Sequence, residues 1–480
     1  MNGSQLVALS PLIILGATPV LMMLVTAFHR RHGLIMGIGL VGLGAAATAV
    51  FSLSGQTTPA ATPLLMVDPW AATFIVLTTA ATAFVCLLSY PYLEQFDDNR
   101  EEYYILMLLA TFGAAVLASG TNFASLFLGF EILSVSLYAL IAYPHRIFRQ
   151  IEAGIKYLIL AAASSAFMLF GMALLYAAIG SLEFSRLAQV MGHMPAGAGG
   201  QSILLTTGTA MIIVGLGFKL ALVPFHWWTP DVYQGAPAPV TAFVATVSKA
   251  GILAVLIRLF APLDMVPGGS LFLILALMAA ASMLIGNLLA LMQNNVKRIL
   301  AYSSIAHLGY VLVAFLAGGK MAQSAVIFYL TAYFITILGA FGVVTVLSGP
   351  SRETEDLAAY RGLFQTRPVL ASVFVFMLFS LAGIPLTAGF IGKIYLLAAG
   401  IHGARWALVM ILIVGSTIGL FYYLRIIAAM FVSSPEKETK TAETTFPLAG
   451  KIALTVLTGF VIWLGIVPSA LISLLQKAFG

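Results

Sequence analysis

Four lysines in this 480-residue chain stand inside long apolar runs, where a charged side chain is least expected. Lys249 lies in FVATVSKAGILAV, Lys219 in GLGFKLALVP five residues before Pro224, and Lys393 in GIPLTAGFIGKIYLL eight residues after Pro385. Lys156 follows Glu152 by four residues. One acid, Glu131 in ASLFLGFEILSVSLYALIAY, is equally central to its run. Two histidines join them. His307, in AYSSIAHLGYVLV, has Ser303, Ser304 and Tyr310 within about a helical turn. His226 follows Pro224 closely, with Asp231 five residues on.

These are groups that carry protons. A carboxylate or an ammonium buried singly tends to lose its charge, whereas a pair keeps both ionised. The expected partner of Glu131 is Lys219 or Lys156. Histidine exchanges protons near neutral pH, which suits His307 and His226 to a relay. The same residues also fit static roles. Ion pairs can fix helix register, a core histidine can hold fixed hydrogen bonds, and Lys156 with Glu152 can form an i,i+4 pair at a membrane interface. Static or not, a lysine at a bilayer centre costs about 2.5–3.5 kcal/mol on insertion scales, so it needs a partner, internal water or neutralisation.

The elements that carry them are membrane helices. Apolar residues make up 61% of the chain and charged residues 8%, against roughly a quarter charged in soluble domains. A chain with so few charges cannot cover a water-facing surface. Fourteen spans of about 20 residues are expected at 5–27, 34–53, 69–90, 103–119, 121–143, 152–180, 203–224, 238–260, 269–291, 298–317, 321–347, 367–399, 403–430 and 448–474. The sizeable loops are 54–68, 181–202 and 348–366, and 433–446 is a polar connector. No basic stretch or Ala-x-Ala site marks a cleaved leader, so the first span is expected to be retained. The single cysteine, Cys86, can form no internal disulfide or cysteine-based cluster and reads as a small buried residue.

Basic residues set the expected orientation. Alternating the loops gives one face 14 of the 23 Lys and Arg: Arg30, Arg31, Arg100, Arg146, Arg149, Lys297, Arg298, Arg352, Arg361, Arg367, Arg425, Lys437, Lys440 and Lys451. The other face receives five: Arg186, Arg258, Lys320, Arg405 and Lys477. The richer face is expected to be cytoplasmic, with both termini on the outer side.

Two spans are interrupted by proline in similar settings, at Pro224 in FKLALVPFHWWTPDVYQGAPAP and at Pro385 in LFSLAGIPLTAGFIGK. Proline frees backbone carbonyls, which lipid cannot satisfy. The interrupted spans are each fourth in a block of five, helices 4–8 (103–260) and 9–13 (269–430), flanked by 1–102 and 448–480. Five is odd, so a copied block inserts upside down, as in inverted-repeat transporters. The residue match between blocks is weak, since Lys219 falls opposite Ser380.

Together FLGFEILSVSLYAL, EAGIKYLILAAASSAFMLFGMALLYA, GLGFKLALVPFHWWTPDVYQGAPAPVTAFVATVSKAGI, NNVKRILAYSSIAHLGY and LFSLAGIPLTAGFIGKIY resemble the antiporter-like, proton-translocating subunits of bacterial NADH–quinone oxidoreductase (respiratory complex I). Among these the likeness is to subunit N, strongest over 103–430, and PFHWWTPDVYQGAPAPV is its most specific stretch. The short chain, without a long C-terminal lateral helix, and lysine at 393 both favour N over L and M. The resemblance implies an all-α integral membrane fold of about 14 helices with two inverted five-helix repeats, each containing a broken helix. It implies a central axis of buried charges with Glu131, Lys219, Lys249 and Lys393 on helices 5, 7, 8 and 12. NADH, flavin, Fe–S clusters and quinone would belong to other subunits, leaving this chain no cofactor and no metal. Its neighbours would be subunits M and K, the lateral helix of subunit L, and lipid of a bacterial inner membrane, with no nucleic acid. Two alternatives stay open: a subunit of a cation/proton antiporter, and a static spacer of the membrane arm.

Overall fold

The computed structural model describes residues 3–53, 62–96, 99–143, 147–192, 199–261, 269–349, 353–433 and 448–479. Arg146, Arg352, Lys437, Lys440, most of the 54–68 loop and nearly all of the 433–446 connector therefore lie outside the described residues.

The fold is all-helical. Among the described residues, thirteen helices are long and apolar enough to cross a membrane. Spans one to six are Ser10–Phe28, His32–Leu53, Pro69–Leu93, Glu101–Ser119, Phe123–Ile141 and Phe148–Ile179. The seventh is broken into Gly199–Leu220 and a short piece, Trp228–Gly235. Next come Ala238–Phe260, Ser270–Leu291, Val296–Ala317 and Gly319–Leu347. The twelfth is again two pieces, Pro368–Ala382 and Ala388–His402, followed by Trp406–Phe431 and Leu448–Ile466. The fourteen expected spans and both interruptions are thus met. The first interruption begins at Ala221, three residues ahead of Pro224.

Helices prevail because in hydrocarbon each backbone N–H and C=O must be paired within the chain. Local residues fix where they begin. The Asn122 side chain accepts from Ala124 N–H (2.9 Å) while Ser125 Oγ accepts from Asn122 N–H (3.3 Å), a capping box at the start of the fifth span. Asn295 does the same for the tenth span through Arg298 N–H (3.0 Å). Proline alone does not break a helix here: Pro19 and Pro91 sit inside continuous ones.

The chain divides into two compact units. The first comprises Met1–Ala83, Asn99–Trp228 and Val247–Leu271. Within it the sixth and seventh spans touch through Gly171 and Gly208, where an added Cβ would come within 2.7–2.8 Å of the facing carbonyl oxygen. Such small-residue contacts let membrane helices approach closely. Arg258 forks onto Asp68 (2.9 and 2.6 Å), joining the end of the eighth span to the start of the third.

The second unit comprises Phe84–Asp98, Thr229–Thr246 and Phe272–Gly480. Here the segment after residue 352 is pinned to the start of the tenth span. Val296 N–H donates to Glu355 O (2.6 Å), Leu357 N–H to Asn294 O (2.9 Å), and Asn295 Nδ2 to Glu355 Oε2 (2.8 Å). Tyr360 closes the segment by donating to Thr354 O (2.9 Å). Burial first, then the Glu353 and Glu355 carboxylates, hold this hydroxyl well above the usual tyrosine range, so it stays a neutral donor.

Candidate functional site

In the first unit the charges gather where the seventh span breaks. Lys219 is the next-to-last residue of Gly199–Leu220 and is fully buried. Its Nζ donates to Tyr157 Oη (2.8 Å) and lies 5.0 Å from the Phe130 ring centre and 4.8 Å from that of Tyr157. Trp228, from beyond the break, packs on Tyr157 (4.9 Å between ring centres) and donates its Nε1–H to Phe218 O (2.8 Å). The ammonium thus sits in an aromatic box with one hydroxyl, a setting that favours a cation through ring faces.

Glu131, partly buried on the fifth span, accepts from Ser165 Oγ at 2.6 Å. Its charge acts on Lys219, yet no ion pair joins the two among the described residues. This corrects the expectation of direct pairing: Ser165 and Tyr157 take the two hydrogen bonds instead. Lys156 does not meet Glu131 either. It pairs with Glu152 at 2.8 Å, with both side chains about half exposed (48% and 47%), one turn apart near the start of the sixth span. Lys249, by contrast, is buried in the eighth span, directly after a wide π-helical turn over Val244–Ser248. Such turns locally loosen the hydrogen-bond ladder.

His226 lies in the break itself, buried against the exposed Trp227 ring (4.9 Å). Neither of its ring nitrogens has a hydrogen-bond partner of good geometry among the described residues. Asp231, the nearest acid in sequence, pairs with Arg298 at 2.7 Å instead.

The second unit holds the other two candidates. Lys393, on the second piece of the twelfth span, folds back onto the first. Its Nζ donates to Leu381 O (2.9 Å), Ala382 O (2.8 Å) and Ser416 Oγ (2.8 Å), and lies 5.7 Å from the Tyr310 ring centre. A cation at a helix C-terminus satisfies the last carbonyls and matches the negative end of the helix dipole. His307 is buried between two hydroxyls, Tyr329 Oη on Nδ1 (2.6 Å) and Tyr423 Oη on Nε2 (3.1 Å).

Sequence reading missed several of these groups. Tyr157 and Ser165, the direct partners of Lys219 and Glu131, come from the sixth span, far from either in sequence. Tyr329 was legible as half of an i,i+4 tyrosine pair with Tyr333, whose ring packs 5.3 Å from that of His307, and Tyr423 as half of a tyrosine doublet. Lys297, one of the basic residues expected on the cytoplasmic face, has a fully buried side chain that donates to Glu353 and to Ala236 O (2.6 Å). Glu353 also accepts from Tyr92 Oη and from Ala238 N–H, each at 3.0 Å. A Lys-Arg pair at a helix start looks alike in sequence whether it faces water or a buried acid.

Known proteins give the constellation a family. Residues 120–419 match the NADH:quinone oxidoreductase/Mrp antiporter transmembrane family. Among solved structures, a chain in respiratory complex I from Thermus thermophilus with bound aureothin is 33% identical, covering 98% of this chain and 100% of its own, with a TM-score of 0.81. A chain of the archaeal membrane-bound sulfane sulfur reductase, a respiratory membrane complex, is 27% identical over 99% of this chain and 96% of its own, at 0.81. A chain of the Mrp complex from Dietzia sp. DQ12-45-1b shares the fold at 0.85 with 21% identity, covering 100% and 97%. With more than half its length matched, this multi-pass membrane chain belongs to the NADH:quinone oxidoreductase/Mrp antiporter transmembrane family.

Proposed function

We propose that this chain is the subunit-N-type, proton-translocating component of an NADH–quinone oxidoreductase, in the inner membrane of a bacterium. The observation that carries the reading is the burial of Lys219, Lys249 and Lys393 inside membrane spans. Among the described residues, the partners of Lys219 are a neutral hydroxyl and ring faces, with Glu131 within electrostatic reach. The 33% identity to a chain of Thermus thermophilus complex I supports this assignment over an Mrp-type antiporter.

In this reading the chain performs no redox chemistry. NADH, flavin, Fe–S clusters and quinone sit on other subunits, and neighbours M, K and the lateral helix of L transmit a conformational change. That change moves Glu131 away from Lys219. The ammonium loses the anion that favours it and releases its proton toward Lys249, with internal water bridging the gap. His307 relays protons in the second unit, and Lys393 is the last lysine before release outside. His226, in the break of the seventh span, is a further candidate relay group. Lys156, a further candidate, pairs with Glu152, and in this reading no step runs through it.

The test is proton uptake by membrane vesicles during NADH oxidation, normalised to assembled complex. Lys249→Ala should lower uptake and quinone reduction together. Normal uptake in a fully assembled Lys249→Ala complex would defeat the reading.

The orientation rests on the 14-to-5 bias of basic residues. Since Cys86 is buried, an impermeant thiol reagent should report cleanly on a cysteine placed at Arg149. Labelling is expected from the cytoplasmic side alone, and labelling from outside would reverse the topology.

A further inference from the structure

We infer that Tyr329, His307 and Tyr423 form a proton wire, with a tyrosine hydroxyl as the relay group on each side of the imidazole. The inference rests on the proton-translocating reading above and adds residues to it. Three separate spans converge here: Tyr329 comes from the eleventh, His307 from the tenth and Tyr423 from the thirteenth. All three side chains are buried.

The bonding pattern argues for transfer over mere packing. A histidine used as a core strut commonly donates one N–H to a carbonyl, which accepts and can never donate. Here both ring nitrogens face hydroxyls (2.6 Å to Tyr329, 3.1 Å to Tyr423), and a hydroxyl both donates and accepts. Tyr423 Oη is in turn hydrogen-bonded to Ser303 Oγ, another two-way group. The chain Tyr329–His307–Tyr423–Ser303 therefore has no member that must stop a proton.

The transfer balances. With Nδ1 accepting from Tyr329 and Nε2–H donating to Tyr423, a proton from water arrives at the Tyr329 oxygen. Tyr329 passes its own hydroxyl proton to Nδ1, and Nε2 passes its proton to the Tyr423 oxygen. Tyr423 gives its former proton to Ser303, which hands one on to a water beyond. One proton enters and one leaves, every hydroxyl is neutral again, and the imidazole carries its hydrogen on the other nitrogen.

Tyr423→Phe and Tyr329→Phe each keep the buried ring and remove only the hydroxyl. Both should assemble, and each should lower vesicle proton uptake by about tenfold or more, against the roughly 10²–10⁴-fold that a positioned proton-transfer group contributes. The solvent deuterium isotope effect on uptake should rise, a response that lost packing would not give. The double variant should be no slower than the slower single one, because the two hydroxyls act in series. If Tyr423→Phe fails to assemble, Tyr329→Phe carries the test. Wild-type uptake in an assembled hydroxyl variant, alongside a defective Lys249→Ala, overturns the wire and leaves the parent reading standing. Wild-type uptake in Lys249→Ala itself removes both.

Discussion

The seventh and twelfth spans break with the same backbone hardware and use their lysines in opposite ways. Each first piece ends with a six-to-one and a five-to-two hydrogen bond. In the seventh span these are Leu222 N–H to Gly217 O (2.9 Å) and Ala221 N–H to Phe218 O (3.0 Å). In the twelfth they are Ile384 N–H to Phe379 O (2.9 Å) and Gly383 N–H to Ser380 O (3.1 Å). This is a Schellman cap with a left-handed residue in the fifth place. Beyond the cap the two diverge. Across the twelfth break, Gly389 N–H donates to Ser380 Oγ (3.0 Å), and Lys393 reaches back to both Leu381 O and Ala382 O. Across the seventh, Trp228 Nε1 takes one carbonyl, and Lys219 points away into its aromatic box. Lys393 closes the break it stands beside. Trp228 meets Phe218 O, the counterpart of Ser380 O and not of the two carbonyls that Lys393 holds, and Lys219 turns to Tyr157 instead.

The largest expected effects follow from this difference. Lys219→Ala removes a single hydrogen bond to a neutral hydroxyl, so the complex should assemble, while coupled proton uptake falls by roughly tenfold or more. Lys219→Arg should fare little better, because a guanidinium keeps its proton. Lys393→Ala instead strands two buried carbonyls and a serine, at about 1–3 kcal/mol for each group left unsatisfied. Its first symptom should be lost assembly, and Lys393→Arg should restore assembly without restoring uptake. Quantifying assembled complex beside vesicle uptake separates the two patterns. If Lys219→Ala proves as damaging to assembly as Lys393→Ala, the two lysines play the same structural part.

What the sequence made legible divides along the same line. Span positions, both breaks and the central lysines were readable because composition and proline act locally, and a lysine in an apolar run is conspicuous wherever it points. Pairing was not readable. Glu131 and Lys219 suggested an ion pair, yet Ser165 and Tyr157 intervene from the sixth span. The depth of Lys297 was hidden because Glu353, its partner, lies 56 residues away in a loop. Nor does the sequence tell a lysine that caps a helix from one that waits in a box. The cap at Leu381 and Ala382 forms because Lys393, about three turns on across the break, reaches back, a contact that spacing alone does not specify.

The smallest effects concern the left-handed residue itself, where the two caps differ by one methyl group. Gly383 adopts φ 82° and Ala221 φ 60°. A left-handed conformation costs an L-residue roughly 1–2 kcal/mol, and glycine nothing. Against this, alanine loses less backbone entropy on folding than glycine, by about 0.4–1 kcal/mol. Ala221→Gly should therefore be neutral or slightly stabilising, and by the same balance Gly383→Ala should destabilise by up to about 1.5 kcal/mol. The second change carries an added penalty, since the new Cβ would lie 2.8 Å from Lys393 Cδ and 3.2 Å from its Nζ. That stem must shift, and with it the ammonium that holds the two carbonyls. Thermal unfolding of the purified complex in detergent should thus show asymmetry, with the twelfth-span variant lowered and the seventh-span variant unchanged or raised. Gly383→Ala should also blunt the rescue by Lys393→Arg when the two are combined, because both act on one cap, whereas Ala221→Gly should be additive with it. Equal and opposite shifts at the two breaks would mean that backbone strain alone distinguishes them and that the lysine cap adds nothing.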